Sequence, residues 1–372
     1  GRRNSLIFAS LLFFLSAIGS WRPEILFFEY GKPSFQLLLT FNAYRVLGGI
    51  GVGLASAICP MYIAEVAPAN VRGRLVSVNQ FAIIFGMLVV YFVNYLIRIN
   101  LPGSIEQAMM ELGWRRMFLS EAFPAATFGL LLLFVPKTPR FLVMSGNESK
   151  ALHVLTRING MDSARKTLAE IKETVVEKRE KLFSYGVTVV VIGILLSFFQ
   201  QAVGINVVLY YAPRIFENLG ASGDVSMRQT VVMGVVNIIF TMVAILTVDK
   251  FGRKPLLIIG SIGMMVGMAA LSVLSFMDVI GVAALVFIII YTASFMMSWG
   301  PITWVLISEI FPNTIRGQAV AIAVAAQWIS NFVVSSTFPS LSEWSTGGAY
   351  LIYAVFSLLS AVFVFKMVPE TK

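Results

Sequence analysis

The chain has 372 residues, 58% hydrophobic and 13% charged, with a mean hydropathy of +0.83 and a net charge of +9. A soluble domain carries roughly 25% charged residues, so a water-soluble globular fold is excluded. Runs of the ~20 apolar residues that cross a bilayer recur, continuous rather than alternating, and this selects helices over a closed barrel because hydrocarbon offers the backbone no other partner.

Ten spans follow in chain order, at approximately 5–21, 36–62, 75–97, 117–135, 185–211, 227–248, 255–276, 280–308, 317–340 and 347–367. Alternation puts residues 1–4, 63–74, 136–184, 249–254, 309–316 and the C-terminus on one side. That side holds 20 Lys and Arg against 8 on the other, whereas acids divide 10 to 9. The basic excess therefore reports topology rather than nucleic-acid binding, and the positive-inside rule makes that side, with both chain ends, cytoplasmic. The stretch 168–182 (LAEIKETVVEKREKL) is patterned as an amphipathic helix on the membrane surface or as part of a short helical linker; a plain solvated connector is the simpler alternative.

Three motifs occur twice in the same order. Gly1-Arg2-Arg3 matches Gly252-Arg253-Lys254. Glu65-x-x-Pro68-x-x-x-Arg72-Gly73 matches Glu309-x-x-Pro312-x-x-x-Arg316-Gly317. Val135-Pro136-Lys137-Thr138 matches Val368-Pro369-Glu370-Thr371. The expected organisation is an N-terminal half (1–136), a cytoplasmic helical connector (137–184) and a C-terminal half (185–372). Two spans precede Gly252 but none precedes Gly1, so the repeat implies a complete all-α fold of twelve spans, ten of them here.

Polar residues inside apolar spans are costly and mark function. The densest group is Gln200-Gln201-Ala202-Val203-Gly204-Ile205-Asn206, where Gly204 permits a bend, followed by Tyr210 and Tyr211. Other spans add Gln80, Asn237, Trp304, Gln327, Trp328 and Asn331. Carboxamides donate and accept, which suits hydroxyl-rich solutes; each amide taken alone also serves as interhelical glue. At the cytoplasmic turns, Glu65, Arg72 and Arg74, then Asp249, Arg253 and Lys254, then Glu309 and Arg316, bring acid and base together. They read either as a latch for alternating access or as static anchoring at the headgroups. Gly49 and Gly53 form a small-xxx-small pair expected to pack closely against a neighbouring helix. Cys59 and His153 are the sole residues of their types, which excludes a disulfide and a Cys/His metal cluster. No nucleotide-binding loop or catalytic constellation is present in the sequence, so neither enzyme activity nor a cofactor is expected.

The stretches PMYIAEVAPANVRGRLVSVNQFAIIFG (60–86), QQAVGINVVLYYAP (200–213), TVDKFGRKP (247–255), SWGPITWVLISEIFPNTIRG (298–317), AIAVAAQW (321–328) and VPETK (368–372) resemble the sugar porter branch of the major facilitator superfamily. The resemblance covers essentially the whole chain. It implies a major facilitator fold of two six-helix halves in a bacterial plasma membrane, and a monomeric transporter of a pentose or hexose with a proton as coupling ion. It implies sugar-binding positions at Gln80, Gln200, Gln201, Asn206, Asn237, Trp304 and Gln327, flanking pocket positions at Gly300 and Trp328, and a gating position at Tyr210. It implies a cytoplasmic charge network of Glu65, Arg72, Asp249, Arg253, Glu309 and Arg316. Two departures stand out. Lys137 replaces the acid usual after the proline, removing an expected partner near Arg140. The family's proton-coupling aspartate belongs to a first helix that this chain does not contain, which leaves a facilitative uniporter or a non-transporting sugar sensor as alternatives. Arg45 has no acid within its own segment, Glu121 is expected at the outer interface, and the first span of a complete fold is therefore the expected source of an acid for Arg45.

Overall fold

A computed structural model describes residues 1–24, 34–68, 72–102, 105–176, 182–218, 223–277, 282–312 and 314–370. Among these there is no strand. The helices are α1 (Arg2–Trp21), α2 (Phe35–Val66), α3 (Arg72–Ile99) and α4 (Met109–Phe134), then the short α5 (Pro139–Met144), α6 (Glu148–Asn159) and α7 (Met161–Val176). They continue with α8 (Val187–Ala202), α9 (Ile205–Tyr210), α10 (Ala212–Asn218), α11 (Gly223–Phe251), α12 (Arg253–Phe276), α13 (Val282–Met297), α14 (Trp299–Ile310) and α15 (Arg316–Met367).

Nine described stretches are long and apolar enough to cross a bilayer. The last is the 52-residue α15, and Ser345 inside it has φ −166° and ψ 109°, so it comprises two helices joined at that residue. The Ser345 hydroxyl accepts the Gly348 amide at 3.0 Å, capping the second of them. With that division all ten expected spans are helical. Two are interrupted where a single run was expected: 185–211 becomes α8 and α9, and 280–308 becomes α13 and α14.

The described chain forms two compact units, Gly1–Val76 with Phe92–Lys178, and Ser77–Tyr91 with Arg179–Lys372. In the first unit α1 lies between α2 and α4 and buries Leu6, Ala9, Ser10, Leu12, Ser16, Ala17 and Ser20, a stripe at helical spacing. α2 starts at Ser34, whose hydroxyl accepts the Leu37 amide at 3.1 Å. It buries only Gly51 and leaves Phe35, Leu38, Leu39, Val46 and Ile50 exposed. Hydrocarbon exacts no penalty for such a surface. The close approach to α1 is made by Gly48 and Gly51: a Cβ on Gly48 would stand 2.5 Å from Ser16 Oγ, and one on Gly51 3.2 Å from the Ala9 carbonyl. Gly49 and Gly53, the pair expected to do this, have nothing within 4 Å of a built Cβ. The spacing was right for helix packing, but the register of α2 turns the other glycines toward α1.

The connector is helical. α5 begins at Thr138, which accepts the Phe141 amide at 3.4 Å, with Pro139 in the first turn. Ala151 and Leu155 of α6 and Ala164 of α7 are buried, and the outward faces carry the exposed Lys172–Glu148 pair. Residues 177–181, including Lys178, lie outside the described residues.

A pair that the sequence did not suggest ties α1 to α4. Arg115 donates to both carboxylate oxygens of Glu24, at 3.0 and 2.5 Å, and to the Trp21 carbonyl at 3.1 Å. The two side chains are 8% and 3% exposed. Glu24 lies just past the end of α1 and Arg115 in the second turn of α4, so the fork ties the two helices together there.

In the second unit the fully buried side chains include Trp299, Tyr291, Phe216, Phe311, Leu196 and Met264. The break between α8 and α9 falls at Val203–Gly204, where Gly204 has φ +89°, a left-handed conformation that glycine adopts without steric cost. A Cβ there would also meet the Tyr353 ring at 2.7 Å. The Tyr291 hydroxyl donates to the Val203 carbonyl at 2.7 Å, and Tyr91 donates to that of Leu209 at 2.8 Å.

Removing one member of a buried ion pair strands the other, at about 3–5 kcal/mol. Arg115→Ala and Glu24→Gln should each lower the thermal unfolding midpoint of detergent-solubilised protein, and Arg115→Lys should restore only part of the loss because an ammonium cannot make the fork. Midpoints equal to that of the parent would show that the pair holds nothing.

Candidate functional site

The amides singled out in the sequence gather in the second unit. Gln200 and Gln201, on the last turn of α8, are 3% and 6% exposed, and Gln327 on α15 is 6% exposed. Gln327 Nε2 donates to Gln200 Oε1 at 2.6 Å, and Gln201 Nε2 reaches the same oxygen at 3.5 Å. Gln200 Nε2 donates to the carbonyls of Trp299 and Gly300, at 3.1 and 3.4 Å. The turn at Gly204 swings α9 so that Asn206 Nδ2 donates to Gln201 Oε1 at 2.6 Å and to Asn331 Oδ1 at 3.0 Å. Gln80, 8% exposed, belongs to the Ser77–Tyr91 part of the same unit. A Cβ on Gly300 would stand 3.5 Å from Gln80 Nε2, so the absence of a side chain at Gly300 lets that amide come close.

The net is uncharged, and its Gln327 Oε1 has no partner among the described residues; nor do two other buried polar atoms of the second unit, Asn237 Oδ1 and the Trp328 indole Nε1. A buried acceptor or donor left without a bond costs on the order of 1–3 kcal/mol. Asn237 is buried, while Trp304 and Trp328 are half-buried. None of these three is hydrogen-bonded to the amides, so the structure joins Gln200, Gln201, Asn206 and Gln327 directly and brings in Gln80 through Gly300. Tyr210, 53% exposed, accepts from Asn331 Nδ2 at 3.3 Å. Asn331 had been noted as a polar residue of its span but not placed with the site; the signal available was its spacing of one helical turn from Gln327.

The charged residues pair within each unit, and the pairing follows the sequence repeat. Arg2 Nη2 lies 3.2 Å from Glu65 Oε1 in the first unit, and Arg253 Nη2 lies 3.3 Å from Glu309 Oε1 in the second. Each joins the basic residue of the Gly-Arg motif to the acid of the Glu-x-x-Pro motif. Arg316 donates Nε to the Phe311 carbonyl at 3.1 Å. The side chains of Arg72 and Asp249 lie outside the description. Glu370 adds a contact that the motif alone did not reveal: its two oxygens accept the backbone amides of Arg253 and Lys254, at 2.9 and 3.0 Å. A carboxylate there satisfies free donors at the start of α12 and meets the positive end of its dipole. Lys137 holds the matching place in the first half and cannot accept. Its ammonium lies 5.6 Å from the Phe141 ring centroid, and the Arg3 guanidinium donates to the carbonyls of Leu132 and Leu133.

Arg45 departs from expectation. Its Nη1 lies 3.4 Å from Glu121 Oε2, and its guanidinium carbon lies 4.8 Å from the Phe118 ring centroid. Among the described residues its partner is an acid of α4, which the sequence reading had not paired with it. Glu121 is the 13th residue of the 26-residue helical stretch Met109–Phe134, which begins with the π-helical turn Met109–Gly113. Arg45 and Glu121 line a cleft of about 440 Å³ with Ser16, Gly48, Val52 and Phe128.

The whole chain, residues 1–372, matches the family described as "Sugar (and other) transporter". It is 50% identical to the D-xylose-proton symporter of Escherichia coli K12, over 100% of this chain and 78% of that protein. It is 42% identical to the glucose facilitated diffusion protein of Zymomonas mobilis, over 100% of this chain and 80% of that protein. The solved structure of the major facilitator proton:xylose symporter XylE bound to 6-bromo-6-deoxy-D-glucose superposes with a TM-score of 0.88 at 50% identity, covering all of this chain and 81% of that one. The repeated motifs, the broken helices and the full-length match agree: the chain has the major facilitator fold and belongs to the family of sugar transporters.

Proposed function

We propose that the protein carries a monosaccharide, D-xylose or a pentose or hexose like it, across the bacterial plasma membrane by alternating access together with a proton. The observation that carries this reading is the buried, uncharged amide net of Gln200, Gln201, Asn206 and Gln327, in which Gln327 Oε1 has no partner among the described residues. Sugar hydroxyls both donate and accept, and they match a carboxamide in either sense. The same hydroxyls would take up the Gln327 and Asn237 oxygens, while Gln80 and Trp304 complete the pocket, the indole offering apolar area to a ring face. A charged solute would strand its charge here, because no ionised side chain belongs to the net.

Within this chain the candidate coupling group on this reading is Glu121, beside the acid that the family resemblance places in a first span. A proton-driven carrier needs a group that changes charge within the membrane. Glu121 lies within the apolar helical stretch Met109–Phe134, 3.4 Å from Arg45, and both line a cleft. Protonation of the carboxyl would release the guanidinium and change the balance of charge within the first half. The pairs Arg2–Glu65 and Arg253–Glu309, on the cytoplasmic side, keep the helix ends of each half together while it moves as a body. The second reading, facilitated diffusion without a proton, is favoured by the likeness to the Zymomonas mobilis protein.

Three outcomes are expected. Gln200→Ala combined with Gln201→Ala should weaken D-xylose binding on the order of 20-fold, since each lost bond to a buried partner is worth about 1 kcal/mol. Equilibrium binding to purified protein measures this, and unchanged affinity would make the amides interhelical glue. Glu121→Gln should abolish sugar accumulation driven by a pH gradient in proteoliposomes while sugar exchange between equal concentrations continues; accumulation at the parent level would assign the protein to facilitated diffusion or place the coupling group elsewhere. With Cys59 replaced by Ser, a cysteine at Lys172 should react with an impermeant maleimide only from the cytoplasmic side, as the 20-to-8 division of basic residues requires. Labelling from outside would invert the topology.

A further inference from the structure

One face of α15 carries Gln327, Asn331 and Ser335, each four residues after the last, which places them in a row along the helix. Each meets a different part of the broken helix opposite. Gln327 meets Gln200 at the end of α8. Asn331 accepts from Asn206 at the start of α9 at 3.0 Å and donates to the Tyr210 hydroxyl at the end of α9 at 3.3 Å. Ser335 donates to Asn331 Oδ1 at 3.0 Å, and its carbonyl accepts from the Tyr211 hydroxyl at 3.3 Å. Asn331 is 7% exposed and therefore has these partners in place of water, whereas Tyr210 is 53% exposed.

Asn331 thus has one hand on each side of a functional boundary. Its oxygen holds Asn206, which in turn holds Gln201 at 2.6 Å. Its nitrogen holds a tyrosine that is otherwise largely free. We infer that Asn331 is a positioning residue that relays sugar occupancy of the amide net to Tyr210, so that ordering of Asn206 by sugar also sets the tyrosine. The Asn331 carboxamide is planar and rigid. A shift of Asn206 that turns it moves oxygen and nitrogen together, and the bond to Tyr210 is made or lost with the bond to Asn206. The hinge is at hand, because Gly204 leaves α9 joined to α8 only through the Val203–Gly204 turn. The relay rests on the amides being the sugar site, and the two claims have separate readouts.

The test is a double-mutant cycle on the rate of D-xylose exchange in proteoliposomes, with equilibrium D-xylose binding measured on the same proteins. Tyr210→Phe removes only the hydroxyl from a half-exposed ring; because the coupling is reciprocal it should shift D-xylose affinity by up to about fivefold as well as slow exchange about fivefold, the effect of one lost hydrogen bond. Asn331→Ala should slow exchange by a similar factor, and the double variant should be no slower than the slower single one. A double variant slowed by the product of the two, about 25-fold, would mean independent action and no relay. Exchange at the parent rate in Tyr210→Phe overturns the relay by itself, and that variant decides the matter should Asn331→Ala not reach the membrane. Failure of the sugar-site reading shows up elsewhere, as unchanged affinity in the Gln200→Ala, Gln201→Ala double variant.

Discussion

Inside a bilayer every backbone amide and carbonyl must find its partner within the protein, and the candidate site follows from how this chain meets that demand where its helices break. A continuous helix satisfies itself. At the α8–α9 break the Val203 carbonyl is taken by the Tyr291 hydroxyl, and downstream the Leu209 carbonyl is taken by Tyr91. Near the start of α14 the carbonyls of Trp299 and Gly300 receive Gln200 Nε2, and Thr303 also donates to Trp299. One of the side chains that repair the backbone, Gln200, is therefore also a member of the amide net. Irregular backbone at membrane depth is tolerated where protein polar groups cover it, and this is also where a polar solute can be met.

The polar chemistry differs between the two units. The second gathers neutral amides, tyrosine hydroxyls and serines, which hydrogen-bond without a charge to desolvate. The first has ion pairs besides the repeated cytoplasmic one, among them Arg45 with Glu121, and Arg115 with Glu24. The two pairs are not equivalent. Arg115 and Glu24 are almost fully enclosed and joined by two bonds, the geometry of a fixed clamp. Arg45 and Glu121 are 41% and 45% exposed, meet through one long contact and face a cleft.

The repeat in the sequence is also a repeat of contacts, with one deliberate-looking exception. Arg2–Glu65 and Arg253–Glu309 are the same pair formed twice. The Val-Pro motif is not used twice in the same way. In the second half Glu370 caps the start of α12 with both oxygens; in the first, the lysine at the matching place has no acceptor to offer. There, Arg3 stitches the end of α4 to the start of α1 by donating to the Leu132 and Leu133 carbonyls. An acid on free amides and a base on free carbonyls are the two complementary ways to finish a helix end.

Hydropathy, the count of basic residues and the doubled motifs were enough to establish a polytopic helical chain of two related halves, because span length and backbone satisfaction leave a membrane protein few alternatives. Gln200, Gln201, Asn206 and Gln327 were legible because an amide in an apolar run is rare and conspicuous. The sequence did not decide who meets whom. Gly49 and Gly53 had the spacing for close packing, yet Gly48 and Gly51 do it, because the rotation of α2 about its axis depends on α1 and not on local composition. Glu121 had no partner in the sequence reading and stands beside Arg45 only once α2 and α4 are packed. Glu24 and Arg115 stand 91 residues apart in the chain and met as a buried pair only once their helices were packed. Asn331 belonged to its span in the sequence and to the site only in three dimensions, where the turn at Gly204 sets Asn206 and Tyr210 against it. Periodicity and composition are properties of one segment; partners across helices are fixed by packing, which no single segment encodes.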